Sequence, residues 1–152
     1  MSITVNGLAD LKTRAGTDLG HSGWLEITQD RVNAFAGATD DHQWIHTDPE
    51  RAATGPFGRT IAHGYLTLSL LIPLFNELLE VEGVGMAVNY GLNKVRFPAP
   101  VPVGAKIRLA GRLAEATDVG GGGVQLLVDF TVEVDGGAKP ACVAQAVYRF
   151  YP

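Results

Sequence analysis

The sequence holds a single cysteine, Cys142. Without a second thiol there is no intrachain disulfide for the fold to lean on, and a reducing compartment is the expected home. Charge is scarce too: 18% of residues are Asp, Glu, Lys or Arg, 12 basic against 16 acidic, for a formal charge of −4. No run of Lys or Arg breaks that balance, so the chain lacks the electrostatic footprint of a nucleic-acid or anionic-membrane binder, and neither partner is expected. A membrane-spanning apolar run is also missing. The most apolar stretch, residues 61 to 75, is too short and is interrupted by His63, Gly64 and Pro73. The opening MSITVNGLADLKTR has no basic segment followed by an apolar one, so no secretory leader is read and a cytoplasmic protein is expected. Repeats, low-complexity segments and linkers are absent, which gives one domain over residues 1 to 152. What the chain does have is apolar content. At 46% of 152 residues it supplies a real core and excludes a disordered tail.

The two halves differ in period. Leu8, Leu11 and Lys12 predict a short amphipathic helix ended by Gly16, and residues 24 to 27 an extended piece. Thr28 can cap a helix whose apolar face is Val32, Phe35 and Ala36. Asp48-Pro49 opens another short helix, which Gly55-Pro56 closes. Residues 60 to 79 read as one long helix, apolar nearly all round, which other structure must surround. Alternation then takes over. Ile107, Leu109 and Leu113 alternate with polar or small residues, as do Leu126, Val128, Phe130, Val132 and Val134; residues 86 to 97 and 142 to 151 add two further strands. The run Gly120-Gly121-Gly122-Gly123 and the triplet Asp135-Gly136-Gly137 are turn chemistry for antiparallel hairpins. The glycine run is no phosphate cradle, because it lacks a following Lys-Ser/Thr and helix and sits between strands. The pattern is α+β, a curved antiparallel sheet around a long central helix.

Polar residues concentrate in Thr39-Asp40-Asp41-His42-Gln43-Trp44-Ile45-His46-Thr47-Asp48, between two helices. Three readings are open. The segment can be a solvated loop with Asp48 as a helix cap. His42 and His46, four apart and flanked by carboxylates, can bind a metal, although that spacing aligns ligands only on a helix. Asp41 and His46 can act as an acid–base pair sharing one water. Gly64, opening the long apolar helix, offers a backbone N–H to a developing oxyanion with no side chain in the way; the alternative is that it permits close packing. His63 could line the same cavity.

Residues 35 to 46, then Asp48-Pro49-Glu50-Arg51-Ala52 and Ile61-Ala62-His63-Gly64-Tyr65-Leu66, resemble the MaoC-like dehydratases, the R-specific enoyl-CoA hydratases with a hot-dog fold. The Asp-His-Gln-Trp-Ile-His form is similar to the branch with nodulation-protein-N-like members. The resemblance implies that Asp41 and His46 are the catalytic pair, that Gly64 donates its N–H to the thioester oxygen, and that Gln43 occupies the position of a usual Asn. It implies reversible hydration of a trans-2-enoyl-CoA to an (R)-3-hydroxyacyl-CoA, a homodimer joined at strand edges, and no metal or redox cofactor, with acyl-CoA as substrate. Lys94 and Arg96 are candidates to meet the CoA phosphates. Three positions depart from the pattern: Asp40 replaces a usual Gly, Gln43 replaces Asn, and Trp44, in place of a common Pro, is expected to narrow the tunnel. A hot-dog acyl-CoA thioesterase and a non-catalytic acyl-CoA-binding subunit are the rival functions.

Overall fold

The computed structural model describes residues 2 to 152. In chain order, β1 (Ile3–Val5) and α1 (Gly7–Leu11) lead to β2 (Asp18–His21) and β3 (Leu25–Glu26). Next come α2 (Gln29–Thr39), α3 (Trp44–Thr47), α4 (Pro49–Ala53), α5 (Gly64–Ser69), α6 (Leu71–Asn76) and β4 (Leu79–Val81). Four long strands finish the chain: β5 (Met86–Arg96), β6 (Lys106–Val119), β7 (Gly123–Val134) and β8 (Cys142–Tyr151).

The main sheet is antiparallel, in the order β2-β6-β7-β8-β5, with β3 also paired to β6. Its buried face carries Leu109 and Leu113 of β6, Leu126, Val128 and Phe130 of β7, and Tyr148 of β8, the alternate residues that a one-sided strand must bury. Against it lie Leu66, Leu70, Leu71, Leu74, Phe75 and Leu78. Phe75 stacks on Tyr148 at 5.3 Å and meets Phe130 edge-on at 5.2 Å. Gly111 sits where a Cβ would come within 3.2 Å of Leu78, so its missing side chain sets how closely the helical layer approaches. Gly121 and Gly122, both at positive φ, make the β6–β7 hairpin turn as expected. This is the α+β hot-dog arrangement that the sequence predicts.

The central helix differs from expectation. In place of one helix over residues 60 to 79 there are two short ones, α5 and α6, interrupted at Leu70. Pro73 has no N–H to give the Ser69 carbonyl, and its ring crowds that carbonyl, so the helix breaks one turn earlier. Residues 60 to 63 are extended instead. Ala62 donates to Val101 (2.8 Å), Val103 to Thr60 (2.9 Å) and Ile61 to Ile45 (3.0 Å), so this strap ties the α3 segment to the β5–β6 connection. Downstream, β4 pairs in parallel with β1, a two-stranded sheet that the apolar pattern did not signal.

β5 forms one edge of the main sheet and is exposed along most of its length, with Met86, Tyr90 and Leu92 facing solvent. No helix among the described residues is long and apolar enough to cross a membrane.

Candidate active site

Two sequence-predicted caps deliver the polar segment. Thr28 Oγ1 accepts from the Arg31 N–H at 3.2 Å to start α2, and Asp48 Oδ1 accepts from the Arg51 N–H at 3.1 Å to start α4 behind Pro49. Between them α2 ends on Asp40, which adopts the left-handed conformation with φ 59° and ψ 21°. Glycine is favoured at such a helix end because it carries no Cβ, and Asp is among the few residues that tolerate it. The turn is therefore kept despite the departure at this position. The Asp40 carboxylate points outward, 4.0 Å from His42 Nε2.

His46, on the single turn of α3, is buried. Its Nδ1 lies 2.7 Å from the Ile61 carbonyl. A carbonyl only accepts, so Nδ1 carries the proton and Nε2 keeps a lone pair. Burial pushes the His46 pKa below its ordinary value, with His63 adding to the effect, while the Ile61 hydrogen bond and Asp41 oppose it. The result is a neutral imidazole with a fixed tautomer and one basic nitrogen. A second pair of bonds fixes its backbone: Gln29 Nε2 donates to the His46 carbonyl at 2.7 Å and Gln29 Oε1 accepts from Thr60 Oγ1 at 2.6 Å. Neither Gln29 nor Thr60 stood out in the sequence. One reads as the first residue of a helix and the other as the start of the long apolar one, and nothing local shows that they meet.

Asp41 is exposed, and one of its carboxylate oxygens and one ring nitrogen each of His46 and His63 all lie within 4.8 Å of one another. The expected pair is thus brought together, and His63 joins it. His63 was expected to line the cavity; instead its ring is buried, stacked on His46 at 3.9 Å and 24° and tilted against Phe35 at 4.8 Å. Its Nε2 lies 2.9 Å from the Asp41 carbonyl, and the residue is not among those lining the cavity beside His46. A metal held by the same three residues would need both imidazole lone pairs to converge in their ring planes at about 2 Å. Rings stacked at 3.9 Å aim their in-plane lone pairs side by side, so the arrangement does not fit an ion without turning one ring. His42 is no substitute. It precedes α3, so its spacing to His46 is not helical, and it faces solvent while His46 faces inward.

A cavity of about 360 Å³ adjoins His46, with Gly64, Thr67, Phe57 and Phe97 also among its lining residues. Gly64 is the first residue of α5. The His63 carbonyl accepts from the Leu66 and Thr67 N–H groups (3.0 and 3.2 Å), whereas the Gly64 N–H has no acceptor among the described residues. With only six residues, α5 adds little dipole of its own, so the chemistry at this end rests on that one N–H and not on the potential of a long helix. A Cβ on Gly64 would meet the Phe97 ring at 3.3 Å, so both readings of this glycine have a physical basis here.

The other predicted residues lie further out. Gln43 is the N-cap of α3: its carbonyl accepts from the His46 and Thr47 N–H groups, its own N–H reaches Asp41 Oδ1 at a long 3.5 Å, and its side chain is exposed. Trp44, expected to narrow the tunnel, packs against Gly55, where a Cβ would stand 3.0 Å from its ring, and beneath the Arg51 guanidinium at 4.4 Å. It is not among the residues lining the cavity. Lys94 and Arg96 are exposed near the end of β5, and by alternation they project from the face opposite Val95.

Comparison with known proteins gives the family and the fold. The family described as MaoC like domain matches residues 10–134. The 3-hydroxyacyl-thioester dehydratase Z of Mycobacterium tuberculosis is 58% identical over 147 residues, covering 97% of each chain. Nodulation protein N of Rhizobium leguminosarum bv. viciae is 43% identical over 149 residues, covering 95% of this chain and 92% of the relative. Among solved structures, the (R)-hydratase of Aeromonas caviae involved in PHA biosynthesis superposes with a TM-score of 0.70 at 27% identity, over 91% of this chain and 96% of that one.

Proposed function

Because the chain belongs to the MaoC-like domain family, whose relatives here include dehydratases and hydratases, we propose that it is an (R)-specific enoyl-CoA hydratase. It adds water reversibly and syn across a trans-2-enoyl-CoA to give the (R)-3-hydroxyacyl-CoA. The observation that carries this reading is the buried His46 imidazole, its Nδ1 held by the Ile61 carbonyl and its Nε2 left with a lone pair, within 4.8 Å of an Asp41 carboxylate oxygen and on the same cavity as Gly64.

In the hydration direction Asp41 and His46 hold one water. His46 Nε2 takes a proton from it, the water oxygen bonds to C3, and the C2–C3 π pair moves toward the thioester, whose oxygen becomes enolate-like and accepts from the Gly64 N–H. The proton returns to C2 from the same pair, so the balance consumes only water and the thioester, and no metal or redox cofactor enters it. The reverse direction is the dehydration named for the mycobacterial relative. The apolar walls Phe57 and Phe97 receive the acyl thioester. Lys94 and Arg96, exposed on the β5 edge, are the candidates to meet the CoA phosphates. A homodimer formed through that edge would pair its open hydrogen-bonding groups and cover Met86, Tyr90 and Leu92. The buried lone Cys142 suits a cytoplasmic enzyme.

The test is the loss of enoyl-thioester absorbance with crotonyl-CoA and a longer enoyl-CoA, followed by chiral analysis of the product. The native protein is expected to give the (R) alcohol, with Asp41→Asn and His46→Gln each slower by at least about a hundredfold. Release of free thiol without hydration would assign a thioesterase, and acyl-CoA binding without turnover a binding subunit.

A further inference from the structure

His63 sits at the start of α5, where its carbonyl accepts from Leu66 and Thr67. Any residue could do that. Its imidazole does something separate. Only 2% of the residue is exposed, and its Nε2 faces the Asp41 carbonyl at 2.9 Å, so Nε2 must carry the proton. That leaves Nδ1 as a bare acceptor, buried and without a partner among the described residues. A buried unpaired polar atom destabilises a fold, and an apolar ring of the same shape would avoid the penalty. Packing alone therefore does not account for a histidine at this position.

What the imidazole adds is a tie between the two members of the pair. Asp41 lies in an irregular stretch, and among the described residues its carboxylate has only the long 3.5 Å contact with the Gln43 N–H to hold it. The hydrogen bond from His63 to the Asp41 carbonyl anchors that backbone. The same ring stacks on His46 at 3.9 Å and limits rotation of the imidazole whose Nδ1 is held by Ile61, two residues earlier on the same strap. We propose that His63 is a positioning residue, which sets the Asp41 carboxylate and the His46 imidazole relative to one another by bonding the backbone of the first and stacking on the ring of the second. This deepens the hydratase reading and rests on it. Small misplacement of reacting groups lowers turnover steeply, so the tie is expected to act on kcat more than on KM. The titratable groups facing His46 are Asp41 and His63; in its charged form His63 pushes the His46 pKa down, which a neutral side chain in its place cannot do.

The experiment compares the native protein with His63→Phe, which keeps a ring for stacking but has no donor, and His63→Gln, whose amide can restore the donor. Three readouts are taken: kcat and KM with crotonyl-CoA, the His46 ring titration by NMR, and the backbone NMR order parameters of residues 41 to 43. His63→Phe is expected to melt no lower than the native protein and to lose about 10- to 100-fold in kcat with KM changed little. The order parameters of residues 41 to 43 should fall, and His46 should titrate at higher pH. His63→Gln should recover the order parameters and part of kcat. Unchanged kcat and unchanged order parameters in His63→Phe would overturn the proposal, as would an NMR spectrum of the native protein placing the His63 proton on Nδ1. If the native protein turns over no enoyl-CoA, the hydratase reading fails by itself. The order-parameter and titration readouts then decide whether His63 ties Asp41 to His46.

Discussion

Gly64 allows a close-packing role to be separated from a chemical one, using two substitutions at one position. Gly64→Ala keeps the N–H and adds a Cβ; Gly64→Pro adds the same Cβ and deletes the N–H. The structure suits both. Gly64 is not at positive φ, so alanine fits the backbone and gains about 0.5–1 kcal/mol from the stiffer unfolded chain. The added Cβ meets Phe97 at 3.3 Å, and that ring is 40% exposed, so it can yield toward solvent by a few tenths of an ångström. Proline is favoured at the first helical position, and the preceding His63 has ψ 138°, the extended conformation that a residue before proline needs. Both variants should therefore melt within about 4 °C of the native protein by circular dichroism. Their activities should separate. Removing one backbone donor from a developing oxyanion costs roughly 10²–10³ in rate, about 2.7–4 kcal/mol. The kcat/KM of Gly64→Pro for crotonyl-CoA should fall below that of Gly64→Ala by that factor. Equal activities in the two well-folded variants would show that the N–H takes no part and that Gly64 serves packing alone.

Four further outcomes follow from the geometry. Burial lowers the His46 pKa, so kcat/KM should hold down to pH 6.5 and fall on an acid limb whose apparent midpoint lies below it; a midpoint above 7 would remove His46 from the role of neutral base. The same depression means that the unfolded chain binds the proton first: the His46 contribution to stability is present above about pH 6.5 and is lost as pH falls through the lower folded value. Asp40→Gly should stabilise by about 0.5–1 kcal/mol in urea titrations, by relieving the left-handed backbone, and should leave turnover unchanged because the carboxylate points to solvent; a lower denaturation midpoint would contradict this. Cys142 is fully buried and its pKa is pushed up to about 11 by that burial, so it should resist thiol reagents in the native state and react at the rate of unfolding. Fast labelling of the folded protein would show that β8 opens locally.

Much of the site was legible because its signals are local. Thr28 and Asp48 mark their helices by side chains that bond N–H groups three residues on, a relation contained in the sequence. The alternation from Leu126 to Val132 fixes which face of β7 is buried, since a strand has a period of two. Asp41, His46 and Gly64 were likewise found from a short motif, and the fold brings His46 and Gly64 onto one cavity. The extent of the central helix was not legible. Residues 60 to 63 lead straight into the apolar run that reads as helix, yet their backbone groups bond Val101, Val103 and Ile45, partners up to about forty positions away in the chain that periodicity does not report. Tertiary structure alone also decided which histidine joins the pair. In the sequence His42 lies one residue from Asp41 and His63 lies twenty-two away; folding turns the first to solvent and stacks the second on His46. The hydrogen bonds that set the tautomer of His46 and anchor Asp41 end on backbone carbonyls. Every residue type has such a carbonyl, so only the path of the chain determines which one is in place.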